Sequence, residues 1–143
     1  MEGIETYKYG MKECVSSIKL SDLCIGYRVK QDVRVVAKGL TATLQRGQLT
    51  CLLGENGVGK STLLKTLSGF LPKLGGSIQL EGRELEAYSE NELARTIGIV
   101  LTEKPDVHQM TVMELVEMGR APYPGFWGGL NRDDHEACDE AIR

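Results

Sequence analysis

An unbroken apolar run, Leu49 to Leu53, leads straight into Gly54-Glu55-Asn56-Gly57-Val58-Gly59-Lys60-Ser61. The chain then sets Leu63, Leu64 and Leu67 on one face at helical spacing. The apolar run fits a strand buried on both faces. Gly69 and Pro72 close the helix that follows. A strand and a helix joined by a loop of the form G-x-x-x-x-G-K-[ST] make a cradle for phosphate groups. The backbone N–H groups turn inward, and side chains at the glycines would block a close approach. Gly54, Gly57 and Gly59 remove the Cβ where it would matter. The loop ends at a helix N-terminus, which carries roughly half a positive charge. Lys60 adds a full mobile charge for the terminal phosphates, and the Ser61 hydroxyl is a hard oxygen suited to Mg²⁺. The alternative, a glycine-rich turn with an exposed lysine, does not account for the strand before the loop and the helix after it.

Around this unit strands and helices mix. Ile18 and Leu20 alternate with polar residues before Leu23-Cys24-Ile25, predicting a strand that ends near Gly26. Leu40, Ala42 and Leu44 alternate with Thr41 and Thr43, predicting a half-buried strand. A turn is expected at Gly75-Gly76, a short strand over Ser77–Leu80 and another turn at Glu81-Gly82. Ser89-x-x-Glu92 and Thr111-x-x-Glu114 are capping boxes that open two helices, the second with Val112, Leu115 and Val116 on one side. Ile97–Leu101 reads as another buried strand, residues 122–129 as a breaker-rich loop, and residues 132–143 as helical. The class is α/β, with an antiparallel portion ahead of a parallel part.

Composition narrows the partners. A formal net charge of −3 gives no sign of the basic face of a nucleic-acid binder. No stretch approaches the ~20 apolar residues that span a bilayer, and residues 1–16 read as a polar tail without the apolar core of a signal peptide. The expected location is cytoplasmic, with any membrane work done by docking on a partner. The four cysteines, Cys14, Cys24, Cys51 and Cys138, form no CxxC pair and only two histidines accompany them, which argues against zinc. They are expected to be free thiols, with Cys51 buried in its apolar run. His108 and His135 read as surface residues, and Asp133, Asp134 and Glu136 as a solvated helix start.

The phosphate loop alone leaves kinases, GTPases, helicases and transport ATPases open. The stretch LTATLQRGQLTCLLGENGVGKSTLLKTLSGFLPKLGGSIQLEGREL resembles the ATPase subunit of ATP-binding cassette transporters, and the resemblance continues through LARTIGIVLTEKP and MTVMELVEMGRAPYPG. It covers about residues 17 to 143. The later segments look most like importers of siderophore-bound iron, haem and cobalamin. The resemblance implies a P-loop NTPase fold, ATP and Mg²⁺ as cofactors, a second ATPase subunit in a head-to-tail dimer, and a polytopic membrane permease as partner. It places Tyr27 where the family has an aromatic that stacks on adenine; an ordinary strand-end tyrosine is the alternative. It implies that the Thr62 hydroxyl touches the α-phosphate, that Glu55, Asn56 and Val58 contribute mainly through the loop backbone, and that Lys60 stabilises transition-state charge. Where the family usually carries a glutamine that contacts Mg²⁺, this sequence has Glu103. The two readings are a metal ligand and a solvated loop charge, with Gln109 a rival placed later than the family pattern. Phe126 and Trp127 fall where a helical subdomain begins, either packed locally, the favoured reading, or anchoring an interface.

The division implied is a tail over 1–16, a partial nucleotide-binding core over 17–104 and the start of a helical subdomain over 105–143. A signature sequence, an apolar strand ending in Asp-Glu and a switch histidine would complete the family pattern. None stands before Arg143, and no residue present reads as a general base. The expectation is an N-terminal portion that binds nucleotide without turning it over by itself.

Overall fold

The computed structural model describes residues 16–30, 32–100, 109–123 and 129–143. It divides into two compact units, one up to Ala87 and one from Tyr88 to Arg143.

The first unit is built on a four-stranded sheet, β1 (Ser16–Val29), β2 (Asp32–Gln45), β3 (Gly75–Leu80) and β4 (Arg83–Glu84), in the order β2-β1-β3-β4. Every pairing in it is antiparallel, so the expected antiparallel portion is present. Both long strands run further than their alternation predicts, because β1 and β2 form one hairpin and each residue added to the ladder satisfies backbone groups at little extra cost. Strict alternation would put Leu20 and Leu23 on opposite faces. Between the pairs Leu20↔Ala42 and Leu23↔Leu40, however, β1 advances one residue further than β2. Asp22, with φ 47°, takes up the extra residue, and its N–H donates to Thr41 Oγ1 at 3.1 Å. That step brings Leu20, Leu23 and Ile25 together into the core, where they join Ile78, Leu80, Leu85 and Leu63. Each such side chain contributes about 1.5–3 kcal/mol through burial.

The expected turn at Gly75-Gly76 is instead the start of β3, because Cys24 and Ser21 of β1 offer it a ladder. Gly76 has φ 77°, and a Cβ there would lie 2.3 Å from the Asp22 carbonyl oxygen. The bulge on β1 and the glycine on β3 therefore fit one another. Beyond β3, the Glu81-Gly82 turn forms as expected, with both residues at positive φ. Glu84 accepts hydrogen bonds from Ser77 and Gln79 and faces Lys73, which hold its carboxyl below the usual range.

Two expected strands are not observed. Leu49–Leu53 runs without strand structure, with Leu49 85% and Leu53 76% exposed, and Cys51 is exposed rather than buried. Likewise, no strand forms over residues 97–100, and Val100 is 98% exposed. A strand buried on both faces needs a hydrogen-bonded neighbour, and among the described residues none lies beside either run. Propensity alone does not replace the missing ladder.

The second unit contains α2 (Glu90–Thr96), α3 (Val112–Met118) and α4 (Arg132–Ile142), with α3 packed on α4. Both capping boxes form as expected, Ser89 with Glu92 and Thr111 with Glu114. The amide and hydroxyl of Thr111 hold the Glu114 carboxyl below its ordinary range. A third box, Asn131 with Asp134, opens α4. Asp134 is not the solvated residue expected of a helix start. It is only 3% exposed, and Arg120 Nε donates to its Oδ1 at 2.7 Å. The Arg120 guanidinium also lies 3.9 Å from the Tyr123 ring centroid, and Arg95 approaches the same ring at 5.7 Å. Arg95 Nε donates to the Pro122 carbonyl, so the segment after α3 is tied at both ends.

Arg120, followed by the Asn131 amide, holds the Asp134 carboxyl below the ordinary aspartate range. A depressed folded-state value means that the stabilisation is complete above the ordinary range and is lost as pH falls through the folded value. Asp134→Asn is therefore expected to lower the helical signal's resistance to unfolding at neutral pH and to remove part of its acid dependence. Parallel acid titrations of wild type and variant by circular dichroism check this; superimposable curves would contradict it. Among the described residues no helix is long and apolar enough to cross a membrane.

Candidate nucleotide site

The phosphate loop leads into α1 (Lys60–Leu67), which lies on the core side of the first unit. Leu63, Thr62 and Thr66 are buried beneath it, and Leu67 is half-buried. Leu64, expected on the same face, is exposed instead, because the buried stripe runs through the two threonines. Thr66 can occupy such a position because its hydroxyl donates to the Thr62 carbonyl at 2.8 Å.

Gly59 caps the helix from the left-handed region, φ 109°, and offers no side chain to its first amides. No acidic residue stands in the first turn either. The amides and the positive end of the helix dipole are thus left for an anion. A Cβ on Gly59 would lie 2.5 Å from Val36 Cγ1. Val36 is the extra residue of a second irregularity, between the pairs Ile25↔Ala37 and Gly26↔Val35, and this step sets its side chain against the loop. Sequence reasoning missed Val36. Its only signal was an apolar residue in a strand, and the extra residue appears only once the strand is paired.

Lys60 does not extend into solvent. Its ammonium donates to the Gly54 carbonyl at 2.6 Å and to the Glu55 carbonyl at 2.7 Å, holding the charge across the loop it belongs to. The Val58 amide bonds the Glu55 carbonyl at 3.4 Å, so Glu55, Asn56, Gly57 and Val58 form an exposed turn over the helix end. Gly57 has φ 85° in open space, where only the backbone conformation calls for glycine. Ser61 is exposed on the first turn, and Thr62 points inward, with its hydroxyl 2.9 Å from that of Tyr27. The hydrogen bond ties β1 to the start of α1 and leaves Tyr27 38% exposed at the mouth of the loop. The structure thus brings together Tyr27, the loop Gly54–Lys60, Ser61 and Thr62. Glu103, His108, Phe126 and Trp127 lie outside the described residues.

Mg²⁺ fits this donor set in one particular way. Among the described residues no group of three or more His, Cys, Asp or Glu side chains can hold a metal ion. An exposed Ser61 hydroxyl beside an anion cradle suits a cation that takes most of its oxygens from phosphate and water, as Mg²⁺ does.

Comparison with known proteins bears on the family and the fold. The family described as ABC transporter matches residues 37–142. The ferric enterobactin transport ATP-binding protein FepC of Escherichia coli (strain K12) is 34% identical over 133 residues, covering 93% of this chain and 48% of that protein. The iron(3+)-hydroxamate import ATP-binding protein FhuC of Bacillus subtilis (strain 168) is 35% identical over 129 residues, covering 90% of this chain and 46% of that protein. The chain spans about half the length of the curated relatives it matches. Among solved structures, the dimeric MJ0796, a bacterial ABC transporter cassette, superposes with a TM-score of 0.69 at 21% identity, over 87% of this chain and 54% of that one. The fold is therefore that of a P-loop cassette, and the chain belongs to the ABC transporter family.

Proposed function

We propose that this chain binds Mg-ATP through Gly54–Thr62 and serves as the ATP-binding part of an importer subunit, with ATP hydrolysis carried out by the whole protein. The observation that carries the reading is the loop itself: uncapped first-turn amides, three glycines at positive φ and the Lys60 ammonium held at the cradle. The phosphates would displace the Gly54 and Glu55 carbonyls as acceptors for Lys60, and Lys60 would then meet the charge that develops on phosphoryl transfer. Ser61 would hold Mg²⁺, which neutralises phosphate charge when bound; Glu103 is the second ligand proposed. Tyr27 would turn its exposed ring to the adenine and Thr62 would offer its hydroxyl to the α-phosphate.

The names of FepC and FhuC point to iron-siderophore cargo, and haem or cobalamin remain within the same proposed class. Partners of this reading are a second ATPase subunit facing the first head to tail and a polytopic permease that holds the protein at the inner face of the membrane. Residues 105–143 would begin the helical subdomain that meets this permease.

Calorimetric titration with Mg-ATP tests the binding step. Wild type is expected to bind, and Tyr27→Ala to bind about tenfold more weakly, since stacking on an aromatic contributes about 1–3 kcal/mol per base. Equal affinities would show that Tyr27 is a strand-end residue with no part in binding.

A further inference from the structure

We infer that Arg34 completes the base platform begun by Tyr27 and gives the site its preference for purines. The inference rests on the nucleotide-binding reading above and concerns a residue outside the phosphate loop.

Arg34 stands directly opposite Tyr27 in the β1–β2 register. Residues so paired share a face of the sheet, with Cβ atoms about 4.5–5.5 Å apart. Two contacts show that this face belongs to the phosphate loop. Tyr27 reaches Thr62 through its hydroxyl, and Val36, two residues along β2 from Arg34, packs against Gly59. Arg34 therefore lies beside the first of these contacts and about 7 Å along the strand from the second. It is exposed. Asp32 is the carboxylate nearest along the strand, yet among the described residues the ion pairs are made by other side chains.

The chemistry follows from shape. A phenol ring covers about one six-membered ring of a stacked base. A guanidinium is planar, weakly hydrated and able to stack on a π face, so a neighbouring arginine extends the platform sideways. A pyrimidine is served by Tyr27 alone, whereas the fused rings of a purine span both side chains. Lysine at the same position keeps the charge but loses the plane.

The experiment is titration of the full chain with Mg-ATP and with Mg-CTP, in wild type, Arg34→Ala and Arg34→Lys. Wild type is expected to favour Mg-ATP. Both variants are expected to lose about tenfold in Mg-ATP affinity while holding Mg-CTP within about twofold, which collapses the preference. Retained Mg-CTP binding also verifies that the variants are folded. Equal losses for both nucleotides in Arg34→Ala, with rescue by Arg34→Lys, would place Arg34 on the phosphates and overturn the platform. Unchanged Mg-ATP affinity in Arg34→Ala would remove Arg34 from the site. Binding of neither nucleotide by wild type would overturn the nucleotide reading itself, and the platform with it.

Discussion

Lys60→Ala is expected to lower Mg-ATP affinity at least about 100-fold, because truncating one partner of a charge-assisted contact costs about 2–5 kcal/mol. The fold should survive. The bonds that Lys60 makes within the loop go to the Gly54 and Glu55 carbonyls, both on exposed residues that water can serve instead. Calorimetry and a thermal melt separate the two effects. A melting temperature near that of wild type with no detectable Mg-ATP binding is the expected pair of results. Full affinity in the variant would refute the assignment of the loop, since the Lys60 ammonium is the charge held across it.

Gly76→Ala should produce the largest loss of stability. Its φ of 77° alone costs an L-residue about 1–2 kcal/mol. An added Cβ would also lie 2.3 Å from the Asp22 oxygen, 2.6 Å from its carbonyl carbon and 2.7 Å from Leu23 Cα. These are backbone atoms in a paired strand, so relief requires β1 and β3 to part around fully buried Leu23. The total expected is about 3 kcal/mol or more, near the upper end for single substitutions. Gly82→Ala is the internal standard. It has φ 81° and open space around its Cβ direction, so it carries the conformational cost without the collision. Urea unfolding of both variants measures the difference. Equal midpoints would show that the β1–β3 junction yields without cost.

The phosphate loop was legible because its requirements are local. Glycine spacing, the lysine and the helix that follows are fixed by chemistry within a few residues of one another. The capping boxes at Ser89 and Thr111 were legible for the same reason. Asn131 escaped because its partner three residues on, in the first turn, is Asp134 rather than Glu or Gln, and Asp134 itself was misread because its partner, Arg120, stands 14 residues earlier. Leu49–Leu53 and residues 97–100 carried the composition of buried strands, yet a strand is a property of a pair, and their sequence says nothing about whether a neighbour is at hand. Val36 and Arg34 were invisible for a related reason. Both depend on the β1–β2 register, which shifts four times along the hairpin and defeats any count of alternate residues.

Those four shifts bear on how this hairpin tolerates gain and loss of residues. Two of the extra residues fall on β1 and two on β2, and both strands end at 14 residues. The offsets cancel, so the tip closes in step although the middle does not. Deleting Asp22 alone would slide every later residue of β1 by one place and set Arg28, not Tyr27, in the place opposite Arg34 on the loop's side. A second deletion on β2 would bring the strands back into step without returning Tyr27 to its former place relative to β3. Length changes in this hairpin are thus coupled across strands, and relatives that differ by one residue on β1 should be aligned with a gap that respects the bulge rather than the apolar pattern.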